Sequence, residues 1–483
     1  MEAVRSKPAG LKWLANGWLL AAGGLIGAIL WSFVCTAPGI PWNAARLAPS
    51  FALARGLPIY ALRDSGAHLG WVYGPVFPLW YAPVGFTDQP TLGLMLATGW
   101  NALTILAPLY AIVRLATAGS APTRRFLFAL GAVLLLVNPI SRLAFLFMHV
   151  DAVSVGWAVV ACLALHAAAV RGWRYGLPLA ALAVALSVAA KQVSIVLLPA
   201  TFLWLWREGH SRLIGRWIFW LALGCGGLAA LFFMVFGAEG MLFNAWLLFS
   251  RMPWQGGWNV VARNLGAVAA SSWLWILAAL LGGLAVRLRW RERISPEAAS
   301  LVRLLLWLAF WQLPLGVTAS LVVDAALNSI HAIHYLFLAG LVVAGSVLAR
   351  ERANAASTGL LRPWFAAGLV AAVGLCALVP VLRNPDVVWR PYRGQDEMLQ
   401  LARQHPGKIY LPWNPLITLI SERKIYPFDE ALRYLWMARL EPPRAVIQAA
   451  VPAGAMIIYS EPSQSHFALN YFGKDQRTPA VDR

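Results

Sequence analysis

Apolar residues along this chain run in blocks, without the short alternations of a soluble fold. Blocks of roughly 20 residues, the length an α-helix needs to cross a bilayer, recur along most of the sequence and are separated by short polar or basic segments. The first, WLANGWLLAAGGLIGAILWSFV, follows Arg5, Lys7 and Lys12. It is longer than a typical signal-peptide core and predicts an uncleaved span. Basic residues gather at Arg5–Lys12, Arg114–Arg125, Arg171–Arg174, Arg207–Arg216, Arg287–Arg293 and Arg350–Arg362. Placing these clusters on the cytoplasmic side leaves one outward-and-back excursion between each and the next. With a last span near 363–382, the pattern predicts about eleven transmembrane helices, with the N-terminus inside and the C-terminus outside.

Composition agrees with that reading. The chain has 483 residues, 60% of them hydrophobic and 12% charged, with mean hydropathy +0.65. Soluble domains are nearer half apolar and a quarter charged. The net charge of +19 is spread between apolar blocks, which fits cytoplasmic loops and disfavours a nucleic-acid-binding face. Cys35, Cys162, Cys225 and Cys376 lie in or beside apolar runs without metal-ligand spacing. They read as small buried hydrophobes.

This topology sends nearly every unusual polar group to the outer face: Asn43, Asp64, His68, Arg142, His149, Asp151, Lys191, Arg251, Arg263, Asp324, His331 and His334. The most informative is Lys191, followed by Gln192 in the otherwise apolar run LSVAAKQVSIVLLPATFLWLW. Between Arg174 and Arg207 the chain must go out and return, so each arm of this hairpin is roughly 24 Å long. That is short of the roughly 30 Å hydrocarbon core. The tip is therefore expected slightly below the outer surface, inside the bundle, where a charge lines a cavity or meets a partner. The alternative is a lysine snorkelling from a helix end.

The first outer loop, 36–88, is too rich in aromatic residues for a plain connector. WNAARLAPSFALARG spaces its apolar residues at helical intervals and predicts an amphipathic helix in the interface, stopped by Gly56 and Pro58. YGPVFPLWYAP then enters the membrane with three prolines that hold a bent backbone. Tyr73 opens that motif as a candidate pocket residue; an aromatic belt at headgroup level is the alternative. After Arg383 the composition becomes that of a soluble protein. GKIYLPW and AMIIYS predict strands, and NPLITLIS, DEALRYLWMARL and PPRAVIQAAV predict helices. The division is thus a membrane domain over 1–382 and a small extracytoplasmic α/β domain over 383–483.

The first loop with NAARLAPSFALARGLPIY, the YGPVFPLWYAPV entry, FMHVDAVSVGWAVVAC, AAKQVSIVLLP and the C-terminal NPLITLISERKIYPFDEALRYL together resemble the GT-C superfamily of integral membrane glycosyltransferases. The branch resembled is that of the protein-mannosyltransferase-like and lipid-A or polysaccharide-modifying bacterial enzymes. The resemblance spans most of the chain and rests on the order and sidedness of the motifs. It implies transfer of a sugar from a polyprenyl-phosphate carrier to a lipid, glycan or protein acceptor at the outer face of a bacterial inner or plasma membrane. In that family the first loop opens with an acidic residue that acts as a base or metal contact; here the place holds Asn43. Asparagine can hydrogen-bond an acceptor but cannot take its proton, so Asp64, Asp151 or Asp324 would have to do so.

Transfer from a phosphate-linked sugar needs a group that orients the acceptor hydroxyl and cations that neutralise the leaving phosphate. Lys191 is the first candidate for the phosphate, with Arg251 and Arg263 as further arginine forks. Asp151, beside His149 in MHVD, is the candidate to orient the acceptor or hold a divalent ion, the one cofactor the sequence suggests. A carboxylate there also suits a helix N-terminus. His331 and His334 share a helix face at i and i+3 and read as polar lining near the carrier. Two other function classes remain open at this point: a transporter or flippase, whose hallmarks are repeats and interrupted helices at the midplane, and a catalytically inactive GT-C-like scaffold.

Overall fold

Asn138 and Pro139 illustrate how local chemistry shapes this chain. Proline disfavours the helical region for the residue before it, and Asn138 is extended, its side-chain oxygen accepting from the amides of Ile140 and Ser141 at 3.0 Å. The helices on either side, Arg124–Val137 and Pro139–Leu146, meet at 89°. The computed structural model describes residues 9–117, 121–254, 258–272, 296–322, 327–354, 392–459 and 467–472. Among these, five helices are long and apolar enough to cross a membrane: Leu20–Gly39, Pro90–Ala116, Val150–Arg171, Ser211–Phe236 and Pro296–Ala319. The bent pair would make a sixth. The hairpin arms Gly176–Ala190 and Gln192–Arg207, and the helix Asn328–Ala344, are apolar but shorter. The expected span near 363–382 lies outside the described residues, as does Asp324.

Helix Val150–Arg171 packs along Gly176–Ala190 through small residues, with Ala180, Ala181, Ala183 and Cys162 fully enclosed. Small side chains let helix backbones approach closely where lipid offers no hydrophobic driving force between helices. A Cβ on Gly176 would collide with the Ala164 carbonyl and the Ala168 side chain. Leu109, Leu304 and Leu336 bring three further helices onto this pair in one core.

A second core forms at the end of the bundle that carries the first loop. Helix Pro41–Ala54 is stopped at Gly56, which adopts φ +70°. Instead of lying against headgroups, it is sandwiched: Ala44, Leu47, Ala48 and Phe51 are buried, with Val76–Tyr81 on one side and Pro415–Glu422 on another. The C-terminal segment contains the parallel strands Ile409–Tyr410 and Met456–Ile457, paired Ile409 to Met456. Its helices are Gly394–Gln404, Pro415–Glu422, Asp429–Ala438 and Arg444–Ala449. Leu411, Leu416, Ile417 and Leu419 share the core of the first loop.

Close backbone approach locks that segment down. Gly70, at φ +65°, faces the backbone of Ala431, and Gly66 faces the carbonyl of Val446. Between them His68 is buried, and its carbonyl accepts from the Phe428 amide at 2.9 Å. Burial pushes the His68 imidazole down to about 4. The unfolded loop takes up a proton near the ordinary histidine value of about 6.5, whereas the docked loop resists until about 4. Docking stability from this group is therefore full above the unfolded value and lost as pH falls from there through the folded one. Limited proteolysis of the C-terminal segment should accelerate across that window, and His68→Gln should flatten the acceleration.

Candidate functional site

The polar site is built where the short hairpin turns. Helix Gly176–Ala190 ends just before Lys191, whose backbone is extended at φ −147° and ψ 120°. A 3-10 turn, Gln192–Val196, follows before the chain resumes as Leu197–Arg207. Gln192 donates to the carbonyls of Val72 at 2.8 Å and Ala245 at 3.1 Å, tying the turn to the first loop. The hydroxyls of Ser154 and Ser194 meet at 2.7 Å, with Ser187 beside them. These bonds serve polar groups that water would otherwise have to solvate.

Lys191 turns its ammonium onto Asp151. The side chains of the two are 10% and 3% exposed, so this is a buried ion pair. Asp151 sits in the first turn of Val150–Arg171, where the helix dipole favours a negative charge. Its second oxygen accepts from Asn328 at 2.9 Å. His331 is fully buried next to the pair, and neither ring nitrogen has a hydrogen-bond partner among the described residues. His334 lies deeper in the bundle, bonded to Asn138 at 2.9 Å and Ser272 at 2.7 Å.

In front of Lys191 opens a cavity of about 330 Å³. Its cations are Lys191 and Arg46, and its other polar lining includes His149, Gln192, Asn328 and Tyr434. Most of the remaining wall is apolar or aromatic, with Leu143, Phe147, Val193, Phe249 and Met252. The Arg46 guanidinium carbon lies 4.9 Å from the Trp42 ring centre and 5.6 Å from that of Tyr73. Its Nε has no partner among the described residues. Burial works against this guanidinium's charge, but Tyr73, Tyr434 and Glu430 outweigh that and raise it further above its ordinary value.

The structure thus gathers Lys191, Gln192, His149 and Tyr73 on one cavity, with Asp151 and His331 directly behind. The other candidates stand elsewhere. Arg251 and Arg263 are exposed and off the cavity wall, and Asp64 is exposed on the first loop. Asn43 is fully buried: its amide donates to the carbonyls of Ala37 and Leu146, both at 3.0 Å, and its oxygen accepts from the Met148 amide at 2.9 Å. It clasps the loop before its own helix to the loop before Val150. An aspartate could not supply the two N–H bonds to those carbonyls, which gives a physical reason for asparagine here.

Sequence reasoning overlooked Arg46, Asn328 and Tyr434. For Arg46 a signal existed: Trp42 and Arg46 are four apart and share a helix face. No comparable signal marks Asn328 or Tyr434.

Among the described residues no three His, Cys, Asp or Glu side chains come together as a metal site. Both oxygens of Asp151 are engaged, one by an ammonium whose charge a metal would oppose. The donor set does not fit a divalent ion.

No protein-family model matches this chain, and no curated protein matches it. Among solved structures, that of ArnT from Cupriavidus metallidurans in the apo state is similar, with a TM-score of 0.44 and 13% sequence identity. The match covers 91% of this chain and 78% of that one.

Proposed function

We propose that this protein is a GT-C-like membrane glycosyltransferase that moves a sugar from a polyprenyl-phosphate carrier to an acceptor at the outer face. The observation that carries this reading is the placement of Lys191: an ammonium held by a buried carboxylate at the wall of a largely apolar cavity. Such a cavity suits a ligand with a lipid body and an anionic head. Arg46 supplies a second cation on the same wall. In transfer, the bond between the sugar's anomeric carbon and the phosphate oxygen breaks, and that oxygen keeps the electron pair. Lys191 and Arg46 neutralise the developing charge, in a site where water does not screen them. The acceptor hydroxyl bonds to the anomeric carbon, and His149, on the cavity wall, takes its proton. Asp151 acts from behind by holding the Lys191 ammonium in place.

The test is direct. Protein purified in detergent should release polyprenyl phosphate from at least one member of a panel of radiolabelled polyprenyl-phosphate sugars. Mass spectrometry of co-purified lipids should find a polyprenyl phosphate species. Absence of both turnover and bound lipid phosphate would end the proposal.

A further inference from the structure

Arg251 and Arg263 stand off the cavity wall, yet both belong to a surface that adjoins it. Gly237, at φ +79°, ends Ser211–Phe236 and starts a second helix, Ala238–Leu242, which continues as the π-helical stretch Phe243–Leu248. One face of this helix is held down. Asn244 donates to the Ala61 carbonyl at 2.7 Å, the Ala245 carbonyl accepts from Gln192 at 3.1 Å, and Phe243 and Leu248 pack with Val72 and Leu435. The other face carries Leu242, Trp246 and Phe249, all exposed. Phe249 also lines the cavity, as does Met252. Trp254 and Trp258 follow, and with Trp246 they are 61% to 79% exposed. Arg263 lies on the next helix, over 258–272, where Asn264 donates to the Ser320 carbonyl at 3.3 Å, beside the cavity residue Ala319.

The chemistry of this surface identifies its partner. Exposed apolar groups gathered in one place mark a membrane or protein contact, and indoles, with an apolar body and an N–H, suit the headgroup level of a bilayer. The neighbouring helix fixes where that level falls. Between Arg216 and Gly237 it has no charged residue, and Leu223, Leu231 and Met234 are among its exposed side chains, as hydrocarbon requires. Exposed Trp246, Arg251, Trp254, Trp258 and Arg263 all come after its end. Neither arginine has an ion-pair partner among the described residues. Glu239, the one acid of this segment, lies about 18 Å along the helix from Arg251. A guanidinium left free in this way matches the paired oxygens of a phosphodiester.

We propose that the surface from Leu242 to Arg263 docks on the bilayer and selects phospholipids with an anionic headgroup. The indoles seat it at headgroup level, and Arg251 and Arg263 bind the phosphodiester oxygens. Phosphatidylcholine carries its own ammonium, which competes for the same phosphate; phosphatidylglycerol has none. Phe249 belongs to both surfaces, so the docked leaflet abuts the cavity wall. Docking of this kind needs no ligand in the cavity and holds or fails apart from the sugar-transfer reading.

The experiment places the full chain in nanodiscs of equal parts phosphatidylcholine and phosphatidylglycerol. A photoreactive benzophenone amino acid stands in place of Trp258 or, in a second sample, of Leu231. After illumination, mass spectrometry counts the lipid adducts. At position 258, adducts with phosphatidylglycerol should outnumber those with phosphatidylcholine about fivefold, the scale of one basic residue at an anionic surface. At position 231, in the hydrocarbon stretch, the two should be equal. Arg251→Gln with Arg263→Gln should bring position 258 to parity without lowering its total yield of lipid adducts, and added salt should weaken the wild-type preference. Both arginines are exposed, so the melting temperature of the double variant should match wild type. Adducts at position 258 with protein alone, or none with lipid, would show that this surface does not face a bilayer. Parity in wild type, or a preference that survives both glutamines, would show that these arginines select no headgroup. Either result overturns the docking surface and leaves the cavity reading untouched.

Discussion

Replacing Lys191 with alanine should lower sugar transfer by at least about 100-fold, the loss typical of removing one preorganised charge-stabilising donor. The same change has a structural cost that must be separated from it. Lys191 and Asp151 form a buried pair, and removing one partner from such a pair costs about 3–5 kcal/mol, because the other charge is left without compensation. Asn328 alone would then serve Asp151. The double change Lys191→Met with Asp151→Asn removes both charges and keeps the volumes, so thermal stability should return to near that of wild type. Activity should not return with it. Transfer assays and thermal melts on the single and double variants check this together. Full activity in either variant would show that no lipid phosphate depends on Lys191.

The second large effect is expected at Gly74. Its Cα rests against the backbone of Ala189, so an added Cβ would strike the Ala189 carbonyl, which cannot rotate away as a side chain could. The neighbouring loop is held by three bonds: Tyr60 donates to the Tyr73 carbonyl at 2.7 Å, Trp71 to that of Gly74 at 3.1 Å, and Gln192 to that of Val72 at 2.8 Å. Gly74→Ala must therefore push the loop and the hairpin apart. Overpacking of this kind costs about 1–3 kcal/mol, and more where backbone meets backbone. Ala189 stands just before Lys191, so the displacement also moves the ammonium. Gly74→Ala should lower both the melting temperature and transfer. Gly99→Ala is the control: nothing lies within 4 Å of an added Cβ there, and an alanine in a helix interior is favoured by about 0.5–1 kcal/mol over glycine. Equal behaviour of the two variants would refute the close-packed reading of Gly74.

Much of the local structure was legible in the sequence. Of the roughly eleven spans expected, five helices of spanning length are in place among the described residues, six with the bent pair, and the short spacing between Arg174 and Arg207 marked Lys191 as enclosed before any contact was known. The strand and helix patterns after Arg383 also correspond to elements in place: Ile409–Tyr410, Met456–Ile457, Pro415–Glu422 and Asp429–Ala438. The amphipathic pattern from Trp42 to Gly56 marked a helix but not what would cover it. Apolar periodicity says which face is to be buried and carries no information about its partner. Arg46 shows the same limit, because Tyr73 and Tyr434, which share its cavity wall, come from a loop and a distant helix.

The lengths of the apolar blocks and the enclosure of the hairpin tip follow from rise per residue and the cost of burying charge, so the chain alone made them legible. Which carboxylate meets Lys191 did not follow from those rules. In the sequence Asp64, Asp151 and Asp324 were candidates to replace the missing acid of the first loop, with no partner for Lys191 marked among them; only the packing of Val150–Arg171 against Gly176–Ala190 brought Asp151 to the ammonium across 40 residues of chain. Likewise Asn43, legible only as a missing acid, became a clasp between loops 103 residues apart once the fold placed the Leu146 carbonyl within its reach. Hydrogen bonds and ion pairs act over a few ångströms, and distances of that size between remote residues exist only after the chain has packed.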